Sequence, residues 1–410
     1  MEAQGGRFTE NKLDTKKTIL LSFGFFASMI LWSVYNAYVP VILSDNFAAS
    51  GFFIGLIMSI DNFFGVVFQP LFGRMSDRTR TRFGRRMPFL FVGIPLCVVL
   101  FTIIPHMNTL PSMMAVVIGF TFVMGVWRTP AVSLMPDLIP GPFRSQANGI
   151  VNLMGGVGAV LAFAGGGLLF ELGGFPMPFL VSGLLALAAL GVLAVFIREP
   201  AYPPVLSKEE SKKTEVKLEP QEKKSFILIL SAVFFWFMGY NAVETFFSLY
   251  AISTLGITPG QASILLAVIG LGVVLFAIPA GFVGARVGRR KTILAGLVGM
   301  IALFLSMLFV TNLWAIRAVL FFAGVCWACI NINSLPMIAR ISGQAKIGLF
   351  IGYYYLFSFS SQLITTPLYG FIYDVVGDYR SLWIYAAITF TLAFVCLLFV
   401  RHGEEEPAGL

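Results

Sequence analysis

Three ionisable residues stand deep inside long apolar runs: Asp61, Arg128 and Glu244. Asp61 is bounded by Phe52 to Ile60 and by Phe63 to Phe68, about nine residues, or about 14 Å of helix, from the nearer end of its run. A charge near the middle of a membrane span costs at least about 2.5–3.5 kcal/mol, so it persists where it is paired or faces water. Asp137, Glu171 and Asp374 lie nearer the ends of such runs, where the cost is smaller. The chemistry open to this set is proton exchange and the holding of a polar solute. Both histidines, His106 and His402, sit at the edges of apolar runs, so a proton mechanism has to use carboxylates. Arg128 stays charged at any physiological pH and can hold a carboxylate of the protein or of a solute. A counter-ion role for Asp61 or Glu244 is the leading reading. An acid beside Arg128 can change protonation as that contact is made and broken. Asp61 itself has two compatible readings: a tie between the second and fourth spans, or a group that takes up a proton or a solute hydroxyl.

Polar and aromatic side chains at helical spacing surround these charges. Asn241, Glu244 and Ser248 form an i, i+3, i+7 stripe, and Trp32, Ser33 and Asn36 form a similar one on the first span. Trp327, Asn331 and Ser334 share a face of the tenth span, with Asn333 turned away. The eleventh carries Tyr354, Ser358, Ser361, Gln362 and Thr365. Tryptophan beside amide and acid groups suits a sugar, which has an apolar ring face with hydroxyls around it. The expected solute-binding set is therefore Trp32, Asn36, Asp61, Arg128, Asn241, Glu244, Trp327, Asn331, Tyr354, Ser358 and Gln362. Hydrogen bonding between helices is the competing reading for any one polar member. The glycine-rich run from Gly155 to Gly167 reads as a close helix contact, and Cys326 and Cys329 read as small packing residues. No metal cluster, nucleophile–base pair or metalloprotease motif is visible, so no cofactor, no metal and no enzymatic activity are expected.

The elements that must position these residues follow from composition. Of 410 residues, 58% are hydrophobic and 12% charged, and the mean hydropathy is +0.86. A water-soluble chain of this length needs more charge to cover its surface. One span needs about 20 mostly apolar residues. Twelve such runs are predicted, near 18–43, 52–73, 87–106, 111–134, 146–170, 176–197, 226–252, 260–284, 291–311, 314–338, 346–371 and 380–401. They are continuous rather than alternating, which excludes barrel strands. Of 28 Lys and Arg, only Arg128, Arg317 and Arg380 fall outside the two termini and the even-to-odd loops, which places those loops and both termini in the cytoplasm. The net charge of +8 is this bias and not a nucleic-acid footprint. The first apolar run lacks a small-residue cleavage site and reads as a span rather than a signal peptide.

Residues 199–225 form the one long hydrophilic stretch and are expected to be a mobile cytoplasmic linker between a six-helix bundle at 1–198 and another at 226–410. The halves look like repeats. Tyr35-Asn36-Ala37 matches Tyr240-Asn241-Ala242, GVVFQPLFGRMSDRTRTRFGRR matches GVVLFAIPAGFVGARVGRR, and GVWRTPAVSLMP matches GVCWACININSLP, all in register at offsets near 200 residues. Parallel six-helix halves around a midplane site are a transporter architecture.

Gly73-Arg74-Met75-Ser76-Asp77-Arg78, followed by Arg82-Phe83-Gly84-Arg85-Arg86, resembles the loop signature of the major facilitator superfamily, and Gly284 to Arg290 resembles its degenerate second copy. Gln69-Pro70-Leu71 and RFGRRMPF (Arg82 to Phe89), with Pro136-Asp137-Leu138, resemble the sucrose/proton symporters and their solute-carrier relatives, near the glycoside–pentoside–hexuronide:cation symporters. The resemblance implies an all-α membrane protein of twelve transmembrane helices in two pseudo-symmetric six-helix bundles, acting as a proton-coupled sugar carrier. It also implies a conformational latch at Asp77, which would pair across to the end of span four or span eleven in the outward-facing state, with Arg78, Arg85 and Arg144 as basic partners. Topogenesis is the competing role for each arginine. The sodium carriers of melibiose type have an acidic residue immediately before the proline, where this chain has Gln69, and Gly65 lies one turn earlier. That argues against their sodium site. Asp61 departs from the sucrose-carrier pattern, so the proton-coupling set stays open among Asp61, Glu244, Arg128 and Asp137.

The expected function is proton-coupled symport of a sugar or glycoside by alternating access. The expected partners are a small solute, protons and the lipid bilayer, with no nucleic acid, and the chain is read as a monomer in a plasma membrane. A proton-driven exporter of amphipathic compounds is the alternative within transport. A non-transporting receptor is the alternative outside it.

Overall fold

A computed structural model describes residues 13–199, 220–341 and 347–400. Twelve α-helices account for nearly all of them: α1 Thr15–Phe47, α2 Gly51–Arg78, α3 Met87–Ile103, α4 Leu110–Leu138, α5 Arg144–Gly173, α6 Pro176–Phe196, α7 Pro220–Leu255, α8 Pro259–Val287, α9 Arg289–Ser306, α10 Leu313–Ile341, α11 Ile347–Val376 and α12 Ser381–Leu398. Among the described residues the only β pairing is an isolated bridge between Thr81 and Gly84 in the α2–α3 loop. Most of the predicted linker, and also His402, lie outside the described residues.

Helix starts follow local chemistry. Asp14, Ser50, Thr109 and Thr258 are N-caps whose side chains accept from the first-turn amides of Lys17, Phe53, Ser112 and Gln261. Nine of the helices are long and apolar enough among the described residues to cross a membrane. In the other three, α9 opens with Arg289, Arg290 and Lys291, α2 carries Asp61 and ends in charge, and α11 adjoins residues outside the described set. All three pack against helices of the apolar nine: α2 on α4, α9 on α10 and α11 on α7.

Burial sorts the helices. Every residue of α1 from Ile30 to Leu43 is buried, and α7 is buried from Asn241 to Tyr250 except at Glu244. The outward faces of α3, α6 and α12 expose Val92, Val99, Leu184, Val195, Ile388 and Val395, an apolar surface that suits lipid and not water. Within the first set α1 packs on α4, α5 and α6, and α3 on α4 and α6; within the second α7 packs on α11 and α12, and α9 on α10 and α12. Between the sets the largest contacts are α2 with α11 and α5 with α8. A two-fold operation that exchanges α2 with α8 and α5 with α11 interchanges those two contacts.

Glycine makes the inter-set contacts close. A Cβ on Gly55 would lie 2.0 Å from the carbonyl oxygen of Thr366, and one on Gly167 would lie 2.5 Å from that of Gly260. The glycine-rich run of α5 works this way: Gly155 and Gly158 seat Phe25 and Phe26 of α1, and Gly156 meets Val274 of α8. Cys326 packs with its sulfur against Gly299 of α9.

Candidate functional site

The interior cluster is built on α1, α2, α4 and α7. Asp61, Arg128 and Glu244 are each half-buried, although the residues beside Glu244 on both sides are fully buried. Each therefore keeps part of its side chain uncovered. The charges of Asp61 and Glu244 both act on Arg128, yet no direct ion pair joins any two of the three among the described residues. The guanidinium instead lies over the Trp32 ring, 5.8 Å from its centroid, in cation–π geometry. Trp32 in turn stacks on Tyr35 at 5.6 Å.

Asn36 faces Glu244. It is 1% exposed, and neither atom of its amide closes a hydrogen bond of ordinary geometry. A buried amide without partners costs roughly 1–3 kcal/mol, a cost usually tolerated where the group has other work. Tyr35 is fully buried with its hydroxyl likewise unpartnered, close enough to Asp61 to feel its charge. The Asn62 amide donates to Asp61 Oδ1 at 2.8 Å.

A second group continues from the first through Tyr240, which feels the charge of Glu244 and stacks on Trp327 at 4.0 Å with 7° between the rings. Phe237 meets both Trp327 and Tyr354 edge-on. The Tyr354 hydroxyl donates to Asn331 Oδ1 at 3.4 Å and shares a hydrogen bond with Ser334 at 3.1 Å. Asn241 donates to Ser361 Oγ at 3.5 Å, linking α7 to α11. Ser358 and Gln362 are half-buried on α11 and enter the described hydrogen bonds through their carbonyls. Asn333 points away from the cluster and donates to Ala280 O and Cys329 O. A cleft of about 110 Å³ lined by Tyr250, Thr254, Met307 and Arg380 lies near the ends of α7 and α9, away from these groups.

The loop residues form a separate network. Arg86 is 5% exposed; it donates to Asp137 Oδ2 at 2.9 Å, to Asp77 Oδ1 at 2.5 Å, to Gly73 O at 3.3 Å and to the Ser76 hydroxyl. Arg85 pairs with Asp137 at 2.5 Å and lies 3.9 Å from Asp77 and 3.8 Å from Glu199. Asp77 thus engages arginines of its own loop, which also grip the end of α4. Asp137 belongs to this network, nine residues or about 14 Å along α4 from Arg128. Arg144 caps α4 instead, donating to Pro136 O and Ile139 O, and Arg78 is exposed. The side chain of Gln69 lies outside the described residues.

Among the residues absent from the expected site are Asn62, Tyr35, Arg86 and Glu199. Glu199 heads the hydrophilic stretch in the sequence, but it is 8% exposed and its Oε2 accepts from the backbone of Arg86 at 2.7 Å and of Met87 at 3.1 Å. Away from the arginine-rich loop, side-chain hydrogen bonds join α1–α6 to α7–α12 from Asp374 to the start of α2, between Thr258 and Glu171, and from Ser263 to Phe163 O.

The sequence profile of the Major Facilitator Superfamily matches residues 21–256 and 245–409. The chain is 24% identical over 308 residues to an isoprimeverose transporter of Lactiplantibacillus pentosus, covering 70% of this chain and 63% of that one. It is 20% identical over 411 residues to the multidrug resistance protein MdtG of Escherichia fergusonii, covering 98% and 99%. It is 23% identical over 401 residues to the quinolone resistance protein NorA of Staphylococcus aureus, covering 95% and 97%. Among solved structures, the nucleoside transporter NupG superposes with a TM-score of 0.74 at 14% identity, over 94% of this chain and 100% of that one. An inward-facing bacterial homolog of the human lysosomal transporter Spinster superposes at 0.67 and 14% identity, over 94% of each.

Proposed function

The chain belongs to the major facilitator superfamily and is a multi-pass membrane transporter of small solutes rather than an enzyme, and we propose that it carries a sugar or glycoside by proton-coupled symport. The observation that carries this reading is the interior trio of Asp61, Arg128 and Glu244, half-buried and not directly paired, beside the buried amide of Asn36, which faces Glu244. Two carboxylates supply proton acceptors where histidine is absent. Trp32, Trp327, Asn36 and Asn331 supply ring faces and hydroxyl partners. The similarity to an isoprimeverose transporter agrees with this chemistry.

In the cycle, solute and proton enter between the two bundles, the bundles rock, and the site is exposed to the other side. Arg128 and Asp61 both belong to the first bundle, whereas Glu244 belongs to the second. Rocking therefore changes the Arg128–Glu244 separation most. The lysine and arginine bias supports cytoplasmic termini, and the short loops support a plasma-membrane location. The working unit is read as a monomer.

Proton-driven export of amphipathic compounds is the second reading. It is favoured by the full-length similarity to MdtG and NorA and by the phenylalanine wall of Phe64, Phe68, Phe72 and Phe122. Uptake into proteoliposomes, with a panel of sugars and a pH dye inside, separates them. Symport acidifies the lumen as sugar enters. Sugar-independent proton flux driven by a lipophilic cation would select export.

A further inference from the structure

Two carboxylates outside the interior cluster bridge the bundles, and each sits on the start of a helix. Asp374, near the end of α11, accepts from the Gly51 amide at 2.6 Å and from the Phe52 amide at 2.8 Å, one on each oxygen. These are the first two amides of α2, which have no acceptor within their own helix. The third, Phe53, is satisfied by Ser50 at 3.3 Å. Glu171, near the end of α5, accepts from the hydroxyl of Thr258, the N-cap of α8. Thr258 closes a capping box with Gln261 at the same time. A negative charge at a helix N-terminus also gains from the aligned peptide dipoles.

The two contacts are related by the operation that exchanges α2 with α8 and α11 with α5. Each carboxylate lies one helical turn after a glycine, Gly370 or Gly167, on the same helix face. Each of those glycines meets a glycine at the start of the partner helix. A Cβ on Gly370 would lie 2.0 Å from Gly51 O, and a Cβ on Gly260 would lie 2.6 Å from Gly167 O and from Glu171 Oε1. The carboxylate contacts therefore exist only when backbone meets backbone, that is, only when this face is shut.

We propose that Asp374 and Glu171 are working residues of the transport cycle: symmetry-related locks that hold shut the face away from the arginine-rich loop and both release when that face opens to solute. Neither touches the interior cluster. They act on the population of the shut state and not on solute recognition, so the proposal stands on the transporter assignment and is independent of whether the solute is a sugar. Asp374 grips two backbone amides and Glu171 grips one hydroxyl, so Asp374 is the stronger lock. In the open state the carboxylates and amides meet water at the membrane edge, which keeps the step reversible.

The test uses the purified full-length chain in detergent, with Cys97, Cys326, Cys329 and Cys396 replaced and one reporter cysteine added. Ser248→Cys reports on the locked face, since Ser248 is 1% exposed on α7 one turn beyond Glu244. Ser358→Cys, nearer the start of α11, reports on the other. Asp374→Asn is expected to raise the maleimide labelling rate at position 248 about tenfold, the scale of one lost charge-assisted bond, and to lower it at position 358. Glu171→Gln should do the same more weakly, and the double variant more strongly than either. Asp378→Asn is the control, because Asp378 accepts from Arg380 N within its own bundle at 2.8 Å; it should leave both rates at the parent value. Unchanged rates in the double variant overturn the locks, as do rates that rise at both positions, which mean general loosening. Should Asp374→Asn not be recovered folded, the opposed rate changes in Glu171→Gln alone decide the matter.

Discussion

Arg86 and Asp137 meet at 2.9 Å, Nε to Oδ2, and so join the loop after α2 to the last turn of α4. The same arginine donates its backbone amide to Glu199, whose Oε2 also takes the first amide of α3. One residue thereby ties together α2, α3, α4 and the segment after α6. Arg86→Ala leaves Asp137, largely buried, with only Arg85, while the backbone amides that hold Glu199 are kept. Breaking a buried pair from one side costs about 3–5 kcal/mol. Glu199→Ala strands two backbone amides and should cost about 1–3 kcal/mol. The expected order of thermal unfolding in detergent is therefore parent, then Glu199→Ala, then Arg86→Ala as the least stable. Equal melting of all three would show that the network adds no stability.

Asp77 should behave differently. Its side chain is 53% exposed, so its pairing is screened and worth about 0–1 kcal/mol. Asp77→Asn is expected to leave the melting temperature within a degree or two of the parent. Its effect should fall on the conformational equilibrium, by shifting the resting population toward the state open at the arginine-rich face. Cysteine accessibility at the two faces measures this. Unchanged accessibility on both sides removes Asp77 as a latch.

How far the sequence could reach depended on what makes each residue costly. Asp61, Arg128 and Glu244 were legible because a charge inside an apolar run needs a reason wherever the helix ends up. Asn36 and Asn241 were legible because the Tyr-Asn-Ala triplet recurs in both halves. The twelve helices followed from run length. Glu199 was not legible: it opens a proline-rich, charged stretch, and only the docking of α3 against the end of α6 gives it two amides to hold. Asn62 was hidden because its partner is the adjacent residue, a contact with no helical period. The locks at Glu171 and Asp374 were hidden for a third reason. Carboxylates near a span end are cheap in isolation, and the glycine one turn earlier acquires meaning only when two helices meet backbone to backbone.

The Tyr240–Trp327 stack tests the nature of the solute. If sugar rings pack against this pair, Trp327→Ala should raise the apparent KM for the transported sugar roughly 2- to 12-fold, the range expected for loss of one aromatic stacking contact. The maximal rate should change little, since the proton groups are untouched. Trp327→Phe should recover part of the loss. A fall in maximal rate with KM unchanged would assign the stack to helix packing.

The proton step can be divided from solute movement. Asp61 and Glu244 both act on the Arg128 charge, but only Glu244 belongs to the other bundle. Counterflow exchanges solute across the membrane without net proton movement, whereas accumulation against a gradient requires it. A neutral amide at the coupling position should therefore abolish pH-driven accumulation and spare counterflow. Asp61→Asn is the first candidate, because α2 and α4 lie in one bundle and can keep the site formed without the charge. Glu244→Gln is the second, and the rocking geometry makes its proton exchange sensitive to which face is open. Arg128→Gln should impair both assays, because it removes the cation from two interior carboxylates and the cover from Trp32. Reconstituted uptake at an imposed pH gradient, set beside counterflow at equal pH, reads all three. Full accumulation in both carboxylate variants would exclude them as the coupling groups and move the search to Asp137, which the structure holds in the loop network with Arg85 and Arg86.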